Sequence, residues 1–169
     1  IVSKADKNRS PIPGTEMTFD CDTVLLSVGL IPENELTKEA NITIDPRTNG
    51  AVVFENMETS LPGVFACGNA VHVHDLVDFV SAESAKAGAA AAAYLNAEVN
   101  GDAIEIKNGN GIGYTVPQKI RPELIQKFTE LYFRVRQVYK DSDLVLSCGD
   151  REILRLHRER MAPGEMEKI

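Results

Sequence analysis

The run Val64-Phe-Ala-Cys67, stopped by Gly68 and followed from Phe79 by a long alanine-rich stretch, constrains this chain more than any other feature. Pro62-Gly63 turns the chain into the run, Val64 and Phe65 supply its apolar side chains, and Gly68 removes a side chain where the strand ends. A loop with His72, His74 and Asp75 comes next. From Phe79 to Asn96 the composition shifts to good helix formers with no proline and one glycine, which predicts a long helix. Strand, tight turn, loop and helix therefore follow one another, and the small alanine side chains let the helix pack close to its neighbour.

Upstream, Thr23-Val-Leu-Leu-Ser-Val28 is a short apolar run before Gly29, and Pro32 blocks its continuation; it reads as a buried core strand. Ile42-Thr-Ile44 and Ala51-Val-Val-Phe54 flank Asp45-Pro-Arg-Thr-Asn-Gly50, whose residues carry turn chemistry, so a hairpin is expected there. Downstream, the glycines and asparagines after Asn100 suit a linker. The chain divides into residues 1–99, a linker at 100–112 and a β-rich tail at 113–169. In the tail, Ile112–Ile120, Leu131–Val138, Leu144–Ser147 and Ile153–His157 read as strands, Gly149-Asp150 as the turn between the last two, and Pro122–Glu130 as a short helix. No internal repeat is present.

At 169 residues, 43% hydrophobic and 25% charged, the chain has the material of a folded protein. A net charge of −7 gives no support for binding nucleic acid, which calls for a basic surface. The alanine-rich run Gly88–Leu95 is too short to span a bilayer, and the polar start Ile1–Arg9 lacks the apolar stretch of a secretion signal, so a cytoplasmic location is expected. Cys21, Cys67 and Cys148 are an odd, widely spaced set with no C-x-x-C pair; they are expected to be buried or half-buried free thiols. His72-Val-His74-Asp75 contains metal-donor residue types, but the spacing is unspecific, so a polar loop is expected and no metal is assigned.

Thr59-Ser-Leu-Pro-Gly-Val-Phe-Ala-Cys-Gly-Asn69 resembles the second FAD fingerprint of the pyridine nucleotide-disulfide oxidoreductase superfamily, including its thioredoxin-reductase-like members. Cys21 to Pro32 is similar to the crossing by which such chains leave the nicotinamide-binding domain and re-enter the FAD domain. Asn34 and Leu36 follow, one residue displaced from that family's pattern, and the hairpin at 42–54 falls in its usual place. The resemblance implies an α/β fold: the C-terminal lobe of a Rossmann-like, three-layer ββα FAD/NAD-linked reductase domain, followed by a small mainly-β domain. It also implies cofactor-binding roles for Gly29, Gly68, Asn69, Phe79, Val80 and Ser81. The last three stand at the start of the helix, where free backbone N–H groups and the helix dipole favour charge on a reduced flavin.

One departure stands inside the fingerprint. The family's aspartate, which accepts a hydrogen bond from a ribityl hydroxyl, is Asn69 here; asparagine keeps a carbonyl acceptor and loses the charge. No G-x-G-x-x-G turn for a dinucleotide diphosphate and no cysteine pair for disulfide reduction occurs, and no catalytic acid, base or nucleophile can be named. The resemblance therefore implies part of an FAD-dependent NAD(P)H oxidoreductase, inactive alone, whose partners are the remaining FAD and NAD(P) domains of the parent chain. Val116–Ile120 and Ala162–Met166 are similar to the β-rich extension of some FAD/NAD-linked dehydrogenases. Arg134, Arg136, Arg155, Arg158 and Arg160 read first as a solvated face and second as a docking surface for a partner subunit. A non-catalytic docking module, with the flavin-like segment as scaffold, is the alternative, as is a chain completed by a separate polypeptide.

Overall fold

A computed structural model describes residues 1–8, 10–27, 29–96 and 101–169. Val28 of the expected strand and Asn100 of the expected linker lie outside the described residues.

The hairpin forms from residues that leave it few alternatives. β1 (Ile44–Asp45) pairs antiparallel with β2 (Gly50–Ala51), so the strands are shorter than the sequence suggests. Asp45 sets the turn: its Oδ1 accepts from the Arg47 N–H at 2.9 Å and its carbonyl accepts from the Asn49 N–H at 2.8 Å. Asn49 takes the left-handed conformation, φ 58°, that asparagine tolerates. Behind the hairpin lies a core of Ile42, Ala51, Val53, Met57, Val71, Ala87 and Val116. This core draws on the hairpin, the long helix and the tail together.

The long helix, α2, spans Val77–Tyr94, and buries Glu83 and Ala87, four residues apart on one face. It is preceded by the five-residue α1 (Glu35–Glu39) and a 3-10 turn at Gly68–Ala70. Gly88, on the exposed side of α2, has among the described residues nothing within 4 Å of the position a Cβ would take. Gly88→Ala is therefore expected to raise the unfolding free energy by about 0.5–1 kcal/mol, checked by urea denaturation, because it only restricts the unfolded chain.

In the tail, β4 (Ile112–Val116), β6 (Tyr132–Val135) and β9 (Glu167–Lys168) form an antiparallel sheet in the order β4-β6-β9. β3 (Ile104–Glu105) pairs with β5 (Lys119–Ile120), and β7 (Tyr139–Cys148) with β8 (Arg151–Met161) in a long hairpin. Phe133, Val135 and Met161 are its buried centre. Gln118 joins tail to hairpin: its Oε1 accepts from the Val53 N–H at 3.0 Å, and its Nε2 donates to Asp45 Oδ2 at 3.2 Å.

Several expectations are corrected. Residues 23–27 form no strand and are bare, with Leu25 92% and Leu26 81% exposed, because an apolar run becomes a strand only beside another strand edge, and none borders it among the described residues. Val64–Cys67 is not a strand either; only Phe65 makes a bridge, to Glu58. The helix expected at 122–130 is a single 3-10 turn, Pro122–Leu124, ended where Ile125 becomes extended. Cys21 and Cys148 are exposed and only Cys67 is half-buried, so two of the three thiols are not sheltered. Among the described residues no helix is long and apolar enough to cross a membrane.

Candidate functional site

The segment from Thr59 to Asn69 folds back on itself around Leu61-Pro-Gly63. The Val64 N–H donates to Leu61 O at 3.1 Å, the Thr59 N–H to Val64 O at 2.8 Å, and the Ala66 N–H to Met57 O at 3.0 Å. Gly63 is left-handed, φ 77°, and its N–H donates to Glu58 Oε1 at 3.0 Å. The chain then reaches Gly68, which is buried and again left-handed at φ 63°. A Cβ there would come within 3.2 Å of Val80 Cγ1 in the first turns of α2, so the turn lies directly against the helix start.

Asn34 ties this turn to the upstream chain. It is buried, and its Nδ2 donates to Asn49 O at 2.9 Å and to Ala70 O at 3.0 Å. Asn69 is exposed; its Oδ1 accepts from the His74 N–H at 3.2 Å, which fixes the carbonyl towards the loop. Phe79 turns towards the tail, its ring 5.8 Å from Tyr132 and 6.5 Å from His74 between centroids. Ser81 is exposed on α2. Gly68, Asn69, Phe79 and Val80 thus gather at one end of α2. Gly29 stands apart with a left-handed φ of 94°, and among the described residues nothing lies within 4 Å of its Cβ position.

The start of α2 lacks a side-chain cap: Leu76, the residue before it, offers no acceptor, and Leu76, Val77 and Asp78 are exposed. The Phe79 N–H donates to Leu76 O at 3.2 Å, so in the first turn, among the described residues, the N–H groups of Val77 and Asp78 are open to an outside acceptor, although Asp78 places a carboxylate there.

Beneath this end of the helix lies a cluster that the sequence does not announce. His72, His74 and Glu83 are all buried, where a polar loop was expected for the histidines. His72 Nε2 lies 3.1 Å from Glu83 Oε1, and His74 Nε2 lies 3.1 Å from Glu83 Oε2. The Gly68 N–H donates to the same Oε2 at 2.5 Å. The rings of the two histidines are 4.2 Å apart, and Tyr132 stands edge-on to both at 5.8 and 5.7 Å. Loop and helix are held together by this carboxylate. The sequence signals are faint: His72 and His74 alternate as on one side of an extended chain, and Glu83 stands one helical turn before the buried Ala87.

Burial alone would raise the Glu83 carboxyl; hydrogen bonds from His72, His74 and Gly68 overcome it and hold the group at about 2. Burial lowers His72 below its usual 6.5, outweighing Glu83, with His74 and Arg134 adding in the same downward direction. Both groups bind protons more readily unfolded than folded, so their stabilisation is complete above 6.5 and declines on acidification, first through His72 and then, between 4.5 and about 2, through Glu83. The unfolding free energy is expected to fall as pH drops from 7 to 5, and His72→Gln to flatten that fall; urea titrations at stepped pH measure it.

Arg134 closes the loop from the tail side and is turned inward, not displayed on a solvated face. Its Nη2 donates to Val73 O at 3.1 Å and pairs with Asp75, its Nε donates to the Tyr114 hydroxyl at 3.0 Å, and the Met166 N–H donates to Asp75 Oδ2 at 2.7 Å. Arg155, Arg158 and Arg160 pair with acidic neighbours of the tail itself. A separate cleft of about 330 Å³ in the tail, lined by Leu131, Phe133, Tyr139, Leu144 and Met161, includes no histidine or cysteine.

Relatives are local matches. The chain is 39% identical over 59 residues to mitochondrial dihydrolipoyl dehydrogenase of Caenorhabditis elegans, covering 34% of this chain and 12% of that protein. It is 42% identical over 57 residues to an NADH oxidase of Enterococcus faecalis, covering 33% of this chain and 12% of that protein. It is 34% identical over 67 residues to glutamate synthase [NADH] of Schizosaccharomyces pombe, covering 39% of this chain and 3% of that protein. The chain thus spans about an eighth or less of the length of these curated relatives. No solved structure matches it. Residues 2–94, more than half of the chain and including the whole Gly68 turn and α2, match the pyridine nucleotide-disulphide oxidoreductase family, and to that family the chain belongs.

Proposed function

We propose that this chain is the C-terminal lobe of the flavin-binding domain of an FAD-dependent oxidoreductase, with a small mainly-β extension, and that the parent protein passes electrons between NAD(P)H and a second acceptor. The observation that carries the reading is the buried left-handed Gly68 turn set against the uncapped start of α2. A glycine turn closed onto a helix start whose Val77 and Asp78 N–H groups are open suits the polar edge of a flat, electron-accepting ring. FAD, when bound, supplies the hydride-accepting chemistry; the chain's residues orient it.

Within that reading Gly68, whose Cβ would stand 3.2 Å from Val80 Cγ1, lets the turn close onto the helix start so that turn and helix together face the ring. Phe79, Val80 and Ser81 present the helix start, while Asn69 takes the ribityl side. Asn69 Oδ1 already accepts from the His74 N–H, so the side chain offers its Nδ2 as a donor where an aspartate would only accept. Gly29 joins the site only through the segment at 19–31, which carries Phe19, Val24, Leu25, Leu26, Leu30 and Ile31 exposed. In the proposed parent this segment is a strand of the flavin-domain sheet, covered by the domains that also hold the diphosphate and NAD(P)H.

The test is the visible absorbance of the complete protein. An oxidised-flavin spectrum that bleaches on adding NADH or NADPH supports the reading. A colourless protein that takes up no added FAD overturns it.

A further inference from the structure

We propose that Glu83 is the positioning residue of the cofactor-facing turn, fixing the Gly68 backbone through one buried, charge-assisted hydrogen bond while His72 and His74 hold its carboxylate in place; the role rests on the flavin reading above. Glu83 lies on the buried face of α2, and each of its oxygens is committed: Oε1 to His72, and Oε2 to His74 and the Gly68 N–H. The Gly68 bond, 2.5 Å long and closed to water, joins the helix to the left-handed residue that closes the turn against it.

The same three side chains could hold a metal ion, since their ligand atoms lie within 4.8 Å of one another. The surroundings argue for hydrogen bonds instead. Among the described residues, Nδ1 of His72 and Nδ1 of His74 are buried with no partner. A metal on Nε2 would put a proton on each Nδ1, leaving two buried donors without the acceptors that metal-bound histidines normally have. With the proton on Nε2, each ring donates to Glu83 and only a lone pair goes unused. A metal would also compete with the Gly68 N–H for Oε2. The cluster is thus a carboxylate gripped by three donors, one of them the backbone of the turn.

Two variants separate the contact from its consequence. In the 169-residue chain, the Gly68 amide proton should resonate far downfield and exchange slowly by NMR, lose both properties in Glu83→Ala, and retain partial protection in Glu83→Gln, whose carbonyl can still accept. In the complete protein, Glu83→Ala is expected to weaken FAD binding about tenfold or more, as loss of a hydrogen bond to a charged group does. Glu83→Gln should recover most of the affinity yet raise the flavin midpoint potential, because a buried negative charge is gone. An unchanged Gly68 amide in folded Glu83→Ala overturns the contact. Parental FAD affinity in a folded Glu83→Ala protein overturns the positioning role, and Zn²⁺ retained stoichiometrically through dialysis and lost on His74→Ala overturns it in favour of a metal centre. A parent protein that never binds flavin removes the functional reading, while the amide measurement still decides the contact.

Discussion

Replacing Arg121 with methionine is expected to cost about 3–5 kcal/mol of unfolding free energy, a large share of the roughly 5–15 kcal/mol that holds an ordinary domain folded. Arg121 is buried and each guanidinium nitrogen makes a bond: Nε donates to Glu55 Oε1 at 3.1 Å, Nη1 to Glu58 Oε2 at 2.7 Å and Nη2 to Asn56 Oδ1 at 2.8 Å. Its plane also sits 4.3 Å from the Phe54 ring centroid. Both carboxylates are buried as well, so a methionine fills the volume and leaves two charges without a counter-ion. The triple variant Arg121→Met, Glu55→Gln, Glu58→Gln should regain part of the loss, since the stranded charges are gone and their backbone donors keep acceptors. Arg121→Lys should regain less, because an ammonium cannot serve three acceptors in one plane. Urea denaturation of the series measures this, and a loss below about 1 kcal/mol for Arg121→Met would show that the arginine does not neutralise these acids.

Gly50→Ala should cost about 3 kcal/mol or more, the upper end of what overpacking does to a core. A Cβ at Gly50 would stand 1.8 Å from Val71 O and 2.4 Å from Val71 C, so the obstruction is main chain and cannot rotate away. Either the hairpin must lift from the turn after Gly68, or Val71 must move and take His72 with it. The comparison with Gly88→Ala makes the experiment decisive: one added methyl group is expected to destabilise at position 50 and to stabilise at position 88. Equal effects at the two positions would mean that β2 does not lie on the Gly68 turn.

The parts of this fold legible in the sequence were those set by local chemistry. The Asp45–Gly50 turn is specified by an aspartate that bonds its own turn and an asparagine in the left-handed region, so its place could be read directly. The sequence predicts helix α2 over 79–96 and it spans 77–94, the offset arising because Leu76 gives no capping signal. The sequence places the β7–β8 hairpin and its turn but understates its length. Its strands continue through polar residues such as Asp143 and Arg155, which pair across the ladder and hide the apolar alternation.

What could not be read depends on contacts between distant residues. Thr23–Val28 has the composition of a core strand, but composition does not supply the neighbouring edge. The histidine loop looked polar because nothing local reveals that Glu83, nine and eleven residues on, comes back to meet both rings. Arg121 gave no signal, since its partners lie more than sixty positions upstream. At the proposed flavin site, the glycine turn and the asparagine were visible as sequence, while the carboxylate beneath them was not.

The stitches between the β-rich tail and the earlier chain at Gln118, Arg121, Arg134 and Met166 limit how this extension can be exchanged. It cannot be moved between members of the family as a free cassette. A recipient would need acids matching Asp45, Glu55, Glu58 and Asp75, and a small apolar hollow for Val116. A chimera joined anywhere between residues 101 and 111 without those acids would bury a lone guanidinium at its seam, so graft and host have to change together.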